Sequence, residues 1–332
     1  MRDLFQAFDA PTVPGASVIV IRDGKVAYRE AFGMADLETH VAATPATNYR
    51  LASLTKEFTA AAIMLLVRDG KLRYDDPIRA ILPELSGNAA GVTIRQLLNH
   101  TSGLPDYEDL IPDTQTVQVS DADVLKLLSR TDTVYFHAGT QYRYSNSGYV
   151  LLGIIVARVS KQSYPQFLHD RIFEPLGMQA TLAYVPGGPA IPHRAWGYTV
   201  DSAGVRRTDQ SVTSATLGDG GVYSSIDDLR RWDEALAGGR LLTQSELALA
   251  TTPPQLADGS TSPYGFGWFV DTYRGERRWR HHGETMGFTN AIQRYPDRHF
   301  TVIILTNRLS GTPWTTAERV ADRLLFAGRP AP

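Results

Sequence analysis

Ser17-Val18-Ile19-Val20-Ile21-Arg22-Asp23-Gly24-Lys25-Val26-Ala27-Tyr28-Arg29-Glu30-Ala31-Phe32 sets the plan of this chain. Two β-branched and aromatic runs flank Asp23-Gly24, a pair that tight type I′ turns favour because glycine accepts positive φ. A hairpin is expected over residues 17–22 and 25–32. The next strand-like runs lie far along the chain, at residues 265–273, 277–281, 288–295 and 301–306. Arg274-Gly275-Glu276 and Pro296-Asp297 supply the turns between them. Residues 315–326 read as an amphipathic helix with Ala317, Val320, Ala321, Leu324 and Leu325 on one face.

The middle of the chain is mostly helical. Residues 54–69 are apolar nearly all round and stop at Gly70, the pattern of a buried helix. Further helices are expected at 119–129, 148–160, 165–173 and 225–237. Residues 185–193, rich in proline and glycine, read as a loop. Strands at both ends with helices between predict an α+β fold, because strands and helices do not alternate. Its antiparallel sheet is built from N- and C-terminal strands and flanked by helices. Residues 1–70 and 225–332 form the sheet lobe and 71–224 an inserted, mostly helical lobe. The active site is expected in the cleft between them.

Composition removes whole classes of function. The chain has 332 residues and a formal net charge of -2, so no strong field draws in nucleic acid or an anionic membrane. It has no cysteine, which excludes disulfide scaffolds, zinc-thiolate sites, iron–sulfur clusters and a cysteine nucleophile. No run approaches the roughly 20 apolar residues of a membrane span. The first residues lack the apolar core of a signal peptide. The chain is expected to be cytoplasmic if complete, and periplasmic or secreted if a leader was trimmed. Oligomeric state is not encoded in any of these features.

Three short constellations carry chemistry. In Ser53-Leu54-Thr55-Lys56, at the start of the buried helix, positions i and i+3 share a face, so the hydroxyl and amine can meet. A serine hydroxyl needs a neighbour to take its proton, and a desolvated lysine can do so. With 19 serines and five lysines, about 0.3 such pairings arise by chance. An N-cap serine followed by a surface lysine gives the same letters, but this lysine lies in the first turn of an apolar helix. Tyr144-Ser145-Asn146 is the only Tyr-x-Asn. A nearby ammonium favours the phenolate and makes Tyr144 a proton shuttle; the alternative is a packed tyrosine bonded locally. His281-His282-Gly283 lies on a late strand, where glycine admits a close backbone or ligand. Adjacent strand residues face opposite ways, so the two histidines share no metal. The chain lacks Gly-x-Ser-x-Gly, His-Glu-x-x-His and a P-loop. No cofactor or metal is therefore expected.

Taken in order, Ser53-x-x-Lys56, Tyr144-x-Asn146 and His281-x-Gly283 resemble the signature of the serine β-lactamase and penicillin-binding-protein superfamily. The nearest branch is the class C β-lactamase-like group of esterases, D-amino-acid peptidases and transesterases. Residues 97–105, 144–153 and 220–225 and Gly287-Phe288 agree with it, and the likeness runs from about residue 15 to 307.

The resemblance implies a serine β-lactamase-like fold and a metal-independent acyl-enzyme mechanism. Ser53 would be the acylated nucleophile. Lys56 would lower the proton affinity of Ser53 and Tyr144. Tyr144 would act as general base and later activate water or an alcohol. Asn146 would bond Lys56 or the substrate, and the backbone N–H groups of Ser53 and Glu284 would form the oxyanion hole. Asn146, His281, Gly283 and Glu284 would thus contact a small ester, β-lactam or peptide-like substrate.

The family usually has lysine where His281 stands. A largely neutral histidine weakens carboxylate recognition, which favours a carboxylesterase over efficient β-lactam hydrolysis. D-amino-acid peptidase, penicillin-binding protein and non-catalytic sensor are the alternatives. Arg308 is a candidate replacement cation or a surface arginine. His100-Thr101-Ser102-Gly103 is expected to be a turn closing a helix, with Thr101 and Ser102 bonding backbone. Asp106, Tyr107, Glu108 and Asp109 either line the cleft rim or form a solvated loop, and the solvated loop is the preferred reading.

Overall fold

The computed structural model describes residues 1–328. Asp23 and Gly24 adopt φ of 51° and 71°, as the I′ turn requires. They join β1 (Ala16–Arg22) to β2 (Lys25–Phe32). The late strands are β3 (Phe269–Tyr273), β4 (Glu276–Thr285), β5 (Phe288–Tyr295) and β6 (Phe300–Thr306). All six form one antiparallel sheet in the order β3-β4-β5-β6-β1-β2. The two ends of the chain meet at β1 and β6, where Val18 lies opposite Ile304. The fold is α+β, as expected.

Residues 16–21 of β1 are buried on both faces, and the period-two alternation divides them between two cores. Ile19 and Ile21 face the larger one. Val18 and Val20 face a smaller one completed by Phe5 and by Ala317, Val320 and Ala321. Those alanines and valine lie on α4 (Pro313–Leu324), the expected C-terminal helix shifted two residues forward. Two of the expected strands have different limits. β4 runs four residues past His281, whereas residues 265–268 leave the sheet because the Phe266 N–H bonds the Ala250 carbonyl at 2.7 Å.

The larger core continues into the middle helices. In α1 (Thr55–Arg68) residues 55–66 are all buried, and Gly70 beyond it has a φ of 70°. It packs on α2 (Asn146–Ser160), which starts two residues earlier than expected. α3 (Ile226–Gly238) opens where the Ser225 hydroxyl accepts the Asp228 N–H. The segment 165–173 is one α-helical piece, Tyr164–Leu168, continued by a π-helical His169–Phe173. A three-stranded ribbon of Tyr49–Arg50, Val222–Ser224 and Leu182–Ala183 has no counterpart in the sequence reading. Its strands of two or three residues are too short to show a period.

Candidate active site

Ser53 does not begin the α-helix proper. It sits in a 3-10 turn, Ala52–Leu54, that feeds directly into α1. Ala52, just before it, has a φ of 49°, a left-handed geometry that is strained for alanine. The turn is held from two sides. The Leu51 N–H donates to the Val222 carbonyl at 2.8 Å. On the other side β4 presses so close at Gly283 that any Cβ there would collide with the Leu51 carbonyl oxygen. The glycine of the third motif therefore permits strand and turn to touch.

Lys56 is fully buried. Its Nζ donates to Ser53 Oγ at 3.1 Å, Asn146 Oδ1 at 2.8 Å and the Asp219 carbonyl at 2.8 Å. Those three bonds use every proton of an ammonium. Burial pushes its pKa down to about 8, and the charges of Asp219, Asp106 and Glu108 only partly oppose that.

Asn146 is aimed at Lys56 by two acids. Its backbone N–H donates to Asp106 Oδ2 at 2.6 Å and its Nδ2 to Glu108 Oε1 at 3.1 Å, leaving the amide oxygen for the lysine. Asp106 and Tyr107 are buried, so the loop expected to be solvated is instead part of the site. Only Glu108 and Asp109 of the four are exposed. Tyr107 Oη donates to Asp219 Oδ2 at 3.1 Å. Neither Asp219 nor this use of Asp106 was legible beforehand. Asp219 is a single acid in a loop, with no repeat or spacing to mark it.

Tyr144 stands in the segment leading to α2. The Lys56 Nζ lies 5.0 Å from its ring centroid. Its hydroxyl is buried without a hydrogen-bond partner, although Ser53 is near enough to ease its ionisation. Burial outweighs that help and raises its pKa. Burial thus works against the phenolate expected there. His100 packs on the Tyr144 ring at 4.3 Å between centroids, and its Nδ1 accepts the Ser145 N–H at 3.1 Å. The His100–Ser102 turn closes the short helix Ile94–Leu98. Ser102 Oγ accepts the Leu104 N–H as expected, whereas the Thr101 hydroxyl donates to Asn99 Oδ1 and not to backbone.

His281 lies elsewhere than anticipated. It is 2% exposed and lies behind Tyr144, with ring centroids 6.1 Å apart. Its Nδ1–H donates to the His282 carbonyl at 2.7 Å, and its Nε2 accepts from the Tyr264 hydroxyl at 2.8 Å. Both nitrogens are thus occupied within the protein. Burial and the Lys56 charge push its pKa well below the ordinary histidine value. Arg308 bonds Ser310 and lies outside the cleft.

The cleft itself holds about 380 Å³ and is lined by Arg50, Ser53, Glu108, Asn146, Asp219 and Glu284, among others. Gly283 and His281 are not part of its wall. Arg50 is buried and its guanidinium donates to the Ser214 carbonyl at 2.9 Å and the Gly220 carbonyl at 3.3 Å.

This arrangement has relatives. The Beta-lactamase family profile matches residues 1–325. Penicillin-binding protein 4* of Bacillus subtilis (strain 168) is 33% identical over 346 residues, covering 99% of this chain and 76% of that protein. The octameric penicillin-binding protein homologue from Pyrococcus abyssi superposes with a TM-score of 0.85 at 27% identity, covering 98% of this chain and 76% of that one. The D-amino acid amidase from Ochrobactrum anthropi SV3 superposes with a TM-score of 0.80 at 28% identity, covering 98% of each chain. The serine β-lactamase-like fold expected from the motifs is thereby shown. Among the described residues, no helix is long and apolar enough to cross a membrane.

Proposed function

The chain belongs to the Beta-lactamase family, and from that premise we propose that it is a serine hydrolase that works through an acyl-enzyme on Ser53. One observation carries this reading. Of the three groups around Lys56 Nζ, the Asn146 amide oxygen and the Asp219 carbonyl can only accept. Ser53 alone can donate. A neutral lysine therefore keeps its two protons on Asn146 and Asp219 and turns its lone pair toward the Ser53 hydroxyl.

In this scheme Ser53 Oγ attacks the substrate carbonyl while its proton passes to Lys56. The backbone N–H groups of Ser53 and Glu284, the pair implied by the family resemblance, hold the oxyanion. The bond to the leaving group breaks, and the neutral Tyr144 phenol delivers a proton to it, replenished from Lys56. Water then attacks the ester of Ser53, giving the product acid and restoring the serine. Lys56 and Tyr144 titrate as a coupled pair in this exchange. His281 positions Tyr144 from behind and makes no contact with substrate.

The charges of the cleft support a substrate class. Glu108, Asp219 and Glu284 line it, and Arg50, the one arginine there among the described residues, is bonded to protein carbonyls. Acidic walls favour a small amide or ester carrying an ammonium near the scissile carbonyl, such as a D-amino-acid amide. They disfavour the carboxylate of a β-lactam. Hydrolysis of neutral carboxylesters is the second reading, supported by the absence of any free cation in the cleft among the described residues. Comparing kcat/KM for D- and L-phenylalanine amide, p-nitrophenyl butyrate and a chromogenic cephalosporin tests both. The first reading requires an amino-acid amide to lead the series. A leading cephalosporin contradicts both.

A further inference from the structure

A second cavity, of about 180 Å³, shares no lining residue with the catalytic cleft. It opens off the smaller core, between the N-terminal 3-10 helix Arg2–Phe8, the end of β6 and the start of α4. Leu4, Phe5, Phe8, Ile304 and Pro313 make its wall largely apolar. The exposed Ala7 and Thr312 leave it open to solvent. The chain after β6 alternates between the two sites. Arg308 and Ser310 line this cavity, whereas Leu309 lines the cleft.

Arg308 is the one charged side chain among the described residues that line the cavity. Its backbone is fixed, because the Thr289 hydroxyl donates to the Arg308 carbonyl at 2.8 Å. Its Nε donates to Ser310 Oγ at 2.7 Å, and its guanidinium carbon lies 5.8 Å from the Phe8 ring centroid. The guanidinium is thus held between two residues of the cavity wall. The acids of the neighbouring N-terminal segment are engaged elsewhere. Asp3 accepts from Arg323, and Asp9 lies 3.8 Å from Arg2. Arg308 Nη1 and Nη2 make no hydrogen bond among the described residues, and neither is sealed from solvent. Burial lowers the pKa of Arg308, and no acid opposes it. A guanidinium with both Nη groups open presents a fork that matches the two oxygens of a carboxylate.

We propose that this cavity binds a small carboxylate with a compact apolar tail, its oxygens accepting from Arg308 Nη1 and Nη2 and its tail lying against Phe5, Phe8 and Ile304. An apolar cavity of about 150 Å³ accommodates benzene in another protein. The volume here is somewhat larger, which makes benzoate the natural probe. The site is independent of the hydrolase reading, since no cleft residue takes part.

The test is calorimetric titration of the full chain with benzoate and with benzamide, which keeps the ring and shape and lacks the charge. Benzoate should bind saturably at one site, and benzamide at least tenfold more weakly. Arg308→Met should weaken benzoate binding at least tenfold. Thr316→Phe, which fills the cavity from α4, should do the same, and it carries the comparison should Arg308→Met fail to fold. The absence of saturable binding at millimolar benzoate overturns the proposal. Equal affinity for benzoate and benzamide overturns it, as does benzoate affinity unchanged in either folded variant.

Discussion

The Lys56 Nζ stands 3.1 Å from the Ser53 hydroxyl, and no carboxylate is among its hydrogen-bond partners. A direct carboxylate would hold the lysine charged. Burial brings its pKa instead to about 8. The acids that surround it, Asp219, Asp106 and Glu108, act through space and set how far that fall goes.

Activity should therefore follow Lys56 deprotonation. With a neutral ester, so that the substrate does not titrate, kcat/KM should rise tenfold per pH unit up to about 8 and then level off. Glu108 raises the lysine pKa, so Glu108→Gln should move this limb to lower pH. A limb that stays in place in Glu108→Gln contradicts the electrostatic account of Lys56.

Lys56 and Tyr144 should fail together. Lys56→Ala and Tyr144→Phe each remove one link of a single proton path, and each should slow acylation about 10³-fold. The double variant should be hardly slower than either alone. Stopped-flow acylation rates for the three proteins check this, and multiplicative losses would mean that the two groups act separately.

Much of this centre was legible because its parts lie close in sequence or repeat with a period. Ser53 and Lys56 are one helical turn apart, and Asp23-Gly24 names its own turn. The strands of the sheet are β-branched and aromatic runs, which reveals them even though β1 and β6 are far apart along the chain. The acids Asp106, Glu108 and Asp219 were not assigned to the site. They come from loops whose convergence on Asn146 and Lys56 depends on how α1, α2 and the ribbon pack. His281 failed for a related reason. Spacing shows that it and His282 face opposite ways, but only the register of β4 against β5 decides which of them enters the aromatic layer behind Tyr144.

Gly283→Ala should be costly without touching substrate. The new Cβ has no room against the Leu51 carbonyl, and overpacking of this kind destabilises by about 1–3 kcal/mol. Because the displaced turn carries Ser53, kcat should also fall on the order of 10²-fold. Thermal unfolding and steady-state kinetics read the two effects. Wild-type kcat in the variant would show that the contact does not position the serine.

Glu57 offers a test of stability against pH. It is buried, its Oε2 accepts the Trp232 indole N–H at 2.9 Å, and its Oε1 has no partner. Burial raises its pKa well above the ordinary glutamate value. The folded protein then holds this proton after the unfolded chain has released it, so the contribution to stability falls as pH rises through that interval. Glu57→Gln removes the dependence. Its Tm relative to wild type should be higher at pH 8 than at pH 4, and an equal difference at both pH values contradicts the assignment.

The most direct measurement is the mass of the protein after reaction with an activated ester or a fluorophosphonate, followed by peptide mapping. One adduct should form, on the peptide that contains Ser53, and it should be absent from Ser53→Ala, whose turnover of p-nitrophenyl acetate should fall at least 10³-fold. An adduct on another residue, or full turnover in Ser53→Ala, would show that the serine beside Lys56 is not the nucleophile.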